Sequence, residues 1–91
     1  MLMGVVHTIS DQTEWDESIG KFDLAALPAG FTLYSTVTAE DVSRALCVWE
    51  APSCEDLQQL LDSAFATSAV TDCFPLAPDR SLGLPTAATG E

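Results

Sequence analysis

Residues Arg44 to Phe65 read RALCVWEAPSCEDLQQLLDSAF, and a strand, a break and a helix follow one another within that stretch. Arg44 to Glu50 is nearly continuous in apolar residues, the pattern of a strand covered on both faces. Ala51-Pro52 ends it, because proline has no N–H to give to a ladder. Ser53 then offers its hydroxyl to the amide at Asp56, and the Asp56 carboxylate is placed to return the bond, a variant of the capping box. Leu57, Leu60, Leu61, Ala64 and Phe65 follow at helical spacing and form the densest apolar stripe in the chain.

The same reasoning extends in both directions. Met1 to Ile9 (MLMGVVHTI) is a second nearly continuous apolar run, again a strand buried on both faces. Ser10 and Asp11 supply N-cap oxygens for a helix through Asp23, with Trp15, Ile19 and Phe22 on one face and Glu14, Asp16 and Glu17 in its early turns. Pro28-Ala29-Gly30 makes a stop and a turn. Phe31 to Val37 alternates, with Phe31, Leu33 and Val37 on one side and Thr32, Tyr34 and Thr36 on the other. Val70 to Leu76 is a last short strand, confined to an edge by Pro75.

The order is strand, helix, strand, strand, helix, strand. Right-handed crossovers then favour an α+β domain of ferredoxin-like βαββαβ type, whose four-stranded antiparallel sheet runs 4-1-3-2 with both helices on one face. Residues 1–76 form this domain, and 77–91 form a Pro/Gly/Ala-rich C-terminal tail or partner-clasping arm.

Size and charge narrow the function classes. Ninety-one residues make one domain, which buries only about 60 to 65% of its unfolded surface. Lys and Arg total 3 against 14 Asp and Glu, so the net charge of -11 repels phosphate. Nucleic acid and anionic membranes are therefore not expected as partners. Nothing approaches the ~20 apolar residues of a membrane span, and no signal peptide pattern opens the sequence. Cys47, Cys54 and Cys73 are odd in number and form no CxxC pair, which fits free thiols in a reducing cytoplasm. By position, Cys54 is expected at the surface and the other two inside.

One side of the third strand carries Ala45, Cys47 and Trp49, the other Leu46, Val48 and Glu50. Two helices cover only one face, so an apolar surface is left over that monomers rarely tolerate. The expected solution is a homodimer through the open sheet face, either dry or enclosing a cavity.

The phrase Val48-Trp49-Glu50-Ala51-Pro52-Ser53 followed by a Leu-rich helix resembles the third-strand-to-second-helix junction of the dimeric α/β-barrel superfamily. That superfamily includes cofactor-free antibiotic-biosynthesis monooxygenases, polyketide cyclases and heme-degrading relatives. Val5-Val6-His7-Thr8 and the run from Leu46 to Ser53 are also similar to a small family of the same fold with a nickel-binding member. The resemblance covers residues 1 to about 76 and implies a dimeric barrel. For function it implies either a ligand- or metal-binding module without catalysis, or a cofactor-independent monooxygenase or cyclase acting on an aromatic, polyketide-like compound. In the quinone-forming monooxygenases a Trp at the position of Trp49 and an Asn four residues earlier line the pocket, and here the earlier position is Ala45. The heme-degrading relatives need an axial His, whereas the lone histidine, His7, lies in the first strand, so no heme is expected.

His7 is the one imidazole, with an ordinary pKa near 6.5 suited to proton transfer. If its row, with Met3, Val5 and Ile9, faces a dimer cavity, His7 meets Tyr34 and Trp49 there. His7 would then move a proton, Tyr34 would hydrogen-bond an oxygen, and Trp49 would stack on an apolar aromatic ligand beside Cys47. The competing reading is a buried histidine bonded to a neighbour. Trp15, on its helical stripe, reads as core. A metal site is not specified: Cys47 and Glu50 point to opposite faces, and there is no HxH, HxxxH or CxxC pair. A nickel or other divalent ion rests on the resemblance alone.

Overall fold

The computed structural model describes residues 1–84. In order come β1 (Leu2–Ile9), α1 (Gln12–Lys21), a 3-10 turn (Leu24–Ala26), β2 (Thr32–Thr38), β3 (Arg44–Glu50), α2 (Cys54–Phe65), β4 (Ala69–Pro75) and a second 3-10 turn (Pro78–Arg80). The strands form one antiparallel sheet of order β2-β3-β1-β4, the ferredoxin-like arrangement expected from the sequence. The expected tail opens with the Pro78–Arg80 turn, and residues 85–91 lie outside the described part.

Local chemistry sets the helix starts. Asp11 caps α1 by accepting from the Glu14 amide, and Ser53 caps α2 by accepting from the Asp56 amide at 3.0 Å. Only that half of the reciprocal box at Ser53 forms. Both helices lie on the same sheet face. Met3, Val5, Ala45, Cys47, Trp49, Ala69 and Cys73 all point to it, and Trp15, Leu57, Leu61 and Phe65 pack down on them as one core.

That core reverses the face expected for the His7 row. Met3, Val5 and His7 pair across β1 and β3 with Trp49, Cys47 and Ala45, so all six share the covered face. Trp49 lies beneath its own helices at 1% exposure. Leu46 and Val48 are left on the open face instead. The physical reason is size: of the two rows on β3, the one with the indole removes more apolar area from water when it goes inside.

The alternation expected in β2 also breaks. Leu33 pairs with Trp49 and Ser35 with Val48, so Tyr34 is an inserted residue in a β-bulge. Beyond it the pattern inverts: Thr36 and Thr38 join the covered face, and Val37 stands exposed on the open one.

On the open face, Phe74 and Leu76 fold over Gly4. A Cβ at that position would stand 2.8 Å from both side chains, so the missing side chain is what lets them lie flat. At the β2–β3 turn, Val42 holds φ 58, a left-handed conformation unusual for a β-branched residue. Its side chain packs against the core, which offsets the strain.

Candidate functional site

Between the covered sheet face and the helices lies a cavity of about 240 Å³. Its floor is His7 of β1, Leu33, Thr36 and Thr38 of β2, and Cys47 and Trp49 of β3. Trp15, Ile19 and Phe22 from α1 and its end, Leu24 of the 3-10 turn, and Leu61 and Phe65 of α2 form its other wall, which stays partly open where Ile19 and Leu24 are exposed. The lining is largely apolar, with a cluster of aromatic rings. His7 packs at 5.0 Å from Trp15 and 5.3 Å from Phe65, and Phe22 stands edge-on to Trp49 at 6.1 Å.

His7, Cys47 and Trp49, singled out from the sequence, therefore line one cavity, and that cavity is built by a single chain beneath its own helices. Tyr34 does not join them: it sits half-buried in the bulge, outside the lining. Its expected partnership with His7 fails because the bulge displaces it from the alternation that the argument assumed.

Hydrogen bonds cross the whole sheet through His7. Its Nδ1 is 2.8 Å from Thr71 Oγ1 on β4, its Nε2 is 3.4 Å from Cys47 Sγ on β3, and Cys47 Sγ is 3.4 Å from Thr36 Oγ1 on β2. The row thus runs from the far edge strand to the cavity floor. Burial pulls the His7 pKa down to about 4 and pushes the Cys47 thiol up. The Thr36 hydroxyl tempers the thiol's rise, as does the Trp49 N–H, although the latter does not reach hydrogen-bonding geometry. At neutral pH the row is uncharged. It holds no imidazolium–thiolate pair, and a base of such low pKa is poorly matched to proton abstraction near pH 7.

Trp49 is different. Its Nε1 is buried and has no hydrogen-bond partner. An unpaired donor in a low-dielectric site is costly, so an acceptor brought within its reach would relieve that cost. No Lys or Arg lines the space, so the complementary guest is uncharged.

Metal donors do not gather here. Among the described residues, no group of three or more His, Cys, Asp or Glu side chains comes together. His7 has one sulfur beside it, which does not fit a divalent ion within one chain. Among the described residues, no helix is long and apolar enough to cross a membrane.

Sequence reasoning did not find Thr36, Thr38 and Thr71, the hydroxyls that frame His7 and the cavity floor. Their signal lies in strand register, and for Thr36 and Thr38 the bulge reverses what alternation predicts. Trp15, read as core, is core and cavity wall together. Comparison of the chain with protein-family models, with curated proteins and with solved structures finds no match.

Proposed function

We propose that this chain is a small-molecule-binding domain that takes an uncharged, flat aromatic compound of one or two rings, carrying a hydrogen-bond acceptor, into the cavity above Trp49. The unpartnered indole N–H of Trp49, a residue of a largely apolar, cation-free lining, carries the reading. The volume of about 240 Å³ is below the usual range for drug-sized ligands, which favours a small guest. Binding is favoured over catalysis because His7 is neutral and weakly basic and Cys47 is held as a thiol. The rival reading, a cofactor-independent monooxygenase or cyclase for an aromatic polyketide-like substrate, would use the same cavity and needs a stronger base than His7 supplies.

1-Tetralone and tetralin form a matched pair, since they share a ring skeleton and differ in one carbonyl. Calorimetric titration is expected to show tighter binding of the ketone. Trp49→Phe should weaken the ketone about tenfold and leave the hydrocarbon unchanged. Equal losses for both compounds, or no binding of either, would remove the assigned role of the indole.

The domain further works as a homodimer joined through the open sheet face, in the cytoplasm. Val37 at 57% exposure on β2, Leu46 at 54% on β3 and Phe74 at 40% on β4, apolar side chains spread across the open face, support the pairing. The three free thiols support a reducing compartment. Leu46→Asp should convert a dimer in sedimentation equilibrium to a single copy with its helical circular dichroism intact. A wild-type chain that sediments as one copy at tens of micromolar would end this part of the proposal.

A further inference from the structure

Cys54 and Cys73 stand side by side where α2 begins against β4. Their sulfurs are 3.2 Å apart, and each thiol also reaches the other residue's carbonyl oxygen, at 3.2 Å from Cys54 and 3.3 Å from Cys73. The two positions are separated by 19 in sequence and joined by nothing covalent. We propose that Cys54 and Cys73 form a reversible dithiol–disulfide site, oxidised by small-molecule disulfides of the glutathione class.

The geometry is close to that of the product. A disulfide requires the sulfurs to approach by about 1 Å more, within reach of a small side-chain rotation. The third cysteine is excluded by register. Cys47 and Cys73 flank Val5 on opposite neighbours of β1, so they lie two strand spacings apart, about 10 Å, beyond bridging distance. The odd cysteine thus has no partner within the sheet, and the pair is unambiguous.

Exposure sets the order of events. Cys54 is half-buried and Cys73 is buried, so the incoming disulfide meets Cys54 first. The Cys54 thiol loses its proton to solvent and attacks one sulfur of the small disulfide. A protein–glutathione mixed disulfide forms and one glutathione thiolate leaves. Cys73 then gives up its proton and attacks the Cys54 sulfur, displacing the second glutathione. In sum, the protein dithiol is oxidised by two electrons, the small disulfide is reduced to two thiols, and the protons are conserved. Burial and the adjoining Cys54 push the Cys73 thiol up to about 12, which keeps it from acting first.

The crosslink ties the first residue of α2 to the edge strand beneath it. It restrains the unfolded chain and is expected to raise Tm by several degrees. The test uses the full chain, reduced and then equilibrated with excess oxidised glutathione. Cys47, Cys54 and Cys73 all lie in the stretch between Arg44 and Arg80, so cleavage at basic residues cannot separate them. Cleavage at Glu50, Glu55, Asp56, Asp62 and Asp72 does. The expected map links the fragment holding Cys54 to the fragment holding Cys73, with Cys47 still open to alkylation and Tm raised. Cys73→Ser should instead trap one glutathione on Cys54. A wild-type chain that keeps glutathione on Cys54 without the crosslink, that bridges Cys47 or a second chain, or whose three thiols all alkylate after treatment, would overturn the proposal.

Discussion

Lowering the pH from 6.5 to about 4 is expected to cost the fold up to about 3 kcal/mol through His7 alone. Its imidazole is 1% exposed between Trp15 and Phe65, and burial disfavours the charged ring. Above pH 6.5 the ring is neutral whether the chain is folded or not, so nothing is lost. Between 6.5 and 4 the unfolded chain takes the proton and the folded chain refuses it, so stability falls with pH. Below about 4 both states are protonated and the loss levels off. Fourteen carboxylates titrate over part of the same range, so the useful quantity is a difference. Urea unfolding of the wild type and of His7→Phe, which keeps a ring in the aromatic cluster, should diverge steadily between those limits. Parallel pH profiles would show that His7 does not titrate as its surroundings dictate.

Phe65→Ala should be the most damaging single truncation, at about 3–5 kcal/mol. Phe65 is the ring that joins the others: its centroid is 5.0 Å from Trp15, 5.3 Å from His7 and 5.6 Å from Phe22. It sits at the end of α2, where the backbone turns into the segment leading to β4, so little can collapse into its place. A domain of 91 residues has few kcal/mol in reserve, and the variant is expected to be largely unfolded at room temperature. Chemical denaturation at low temperature measures the loss. A cost below about 1 kcal/mol would mean that the helices close over the vacated space. In the folded fraction, the enlarged cavity should admit a bulkier aromatic guest, whose binding would restore part of the lost stability.

The sequence made the architecture legible because each element carried its own punctuation. Arg44 to Glu50 is a strand as read, Pro52 ends it, and Ser53 caps the helix that follows. The sheet order followed from chirality and the alternation of elements. What alternation does not encode is which of two apolar rows goes under the helices. Ala45, Cys47 and Trp49 differ from Leu46, Val48 and Glu50 by a single step, and a one-residue step moves every side chain to the other face. The placement of Trp49, and with it the cavity, was decided by total packing. Tyr34 illustrates a second kind of limit, since no turn residue in FTLYSTV marks the bulge that removes it from the site. The neighbouring sulfurs of Cys54 and Cys73 depend on contact between a helix terminus and a strand far along the chain, which local pattern does not express.

The inserted residue in β2 reaches beyond the site. Both outer strands of this sheet are spoiled as templates for a stranger's backbone: β2 by its kink, and β4 by the ring of Pro75, which removes a donor near its end. Like charge between copies adds to that resistance. Growth of cross-β fibrils from the native sheet, edge upon edge, is therefore discouraged, and copies that meet are left with flat-to-flat association as the open route.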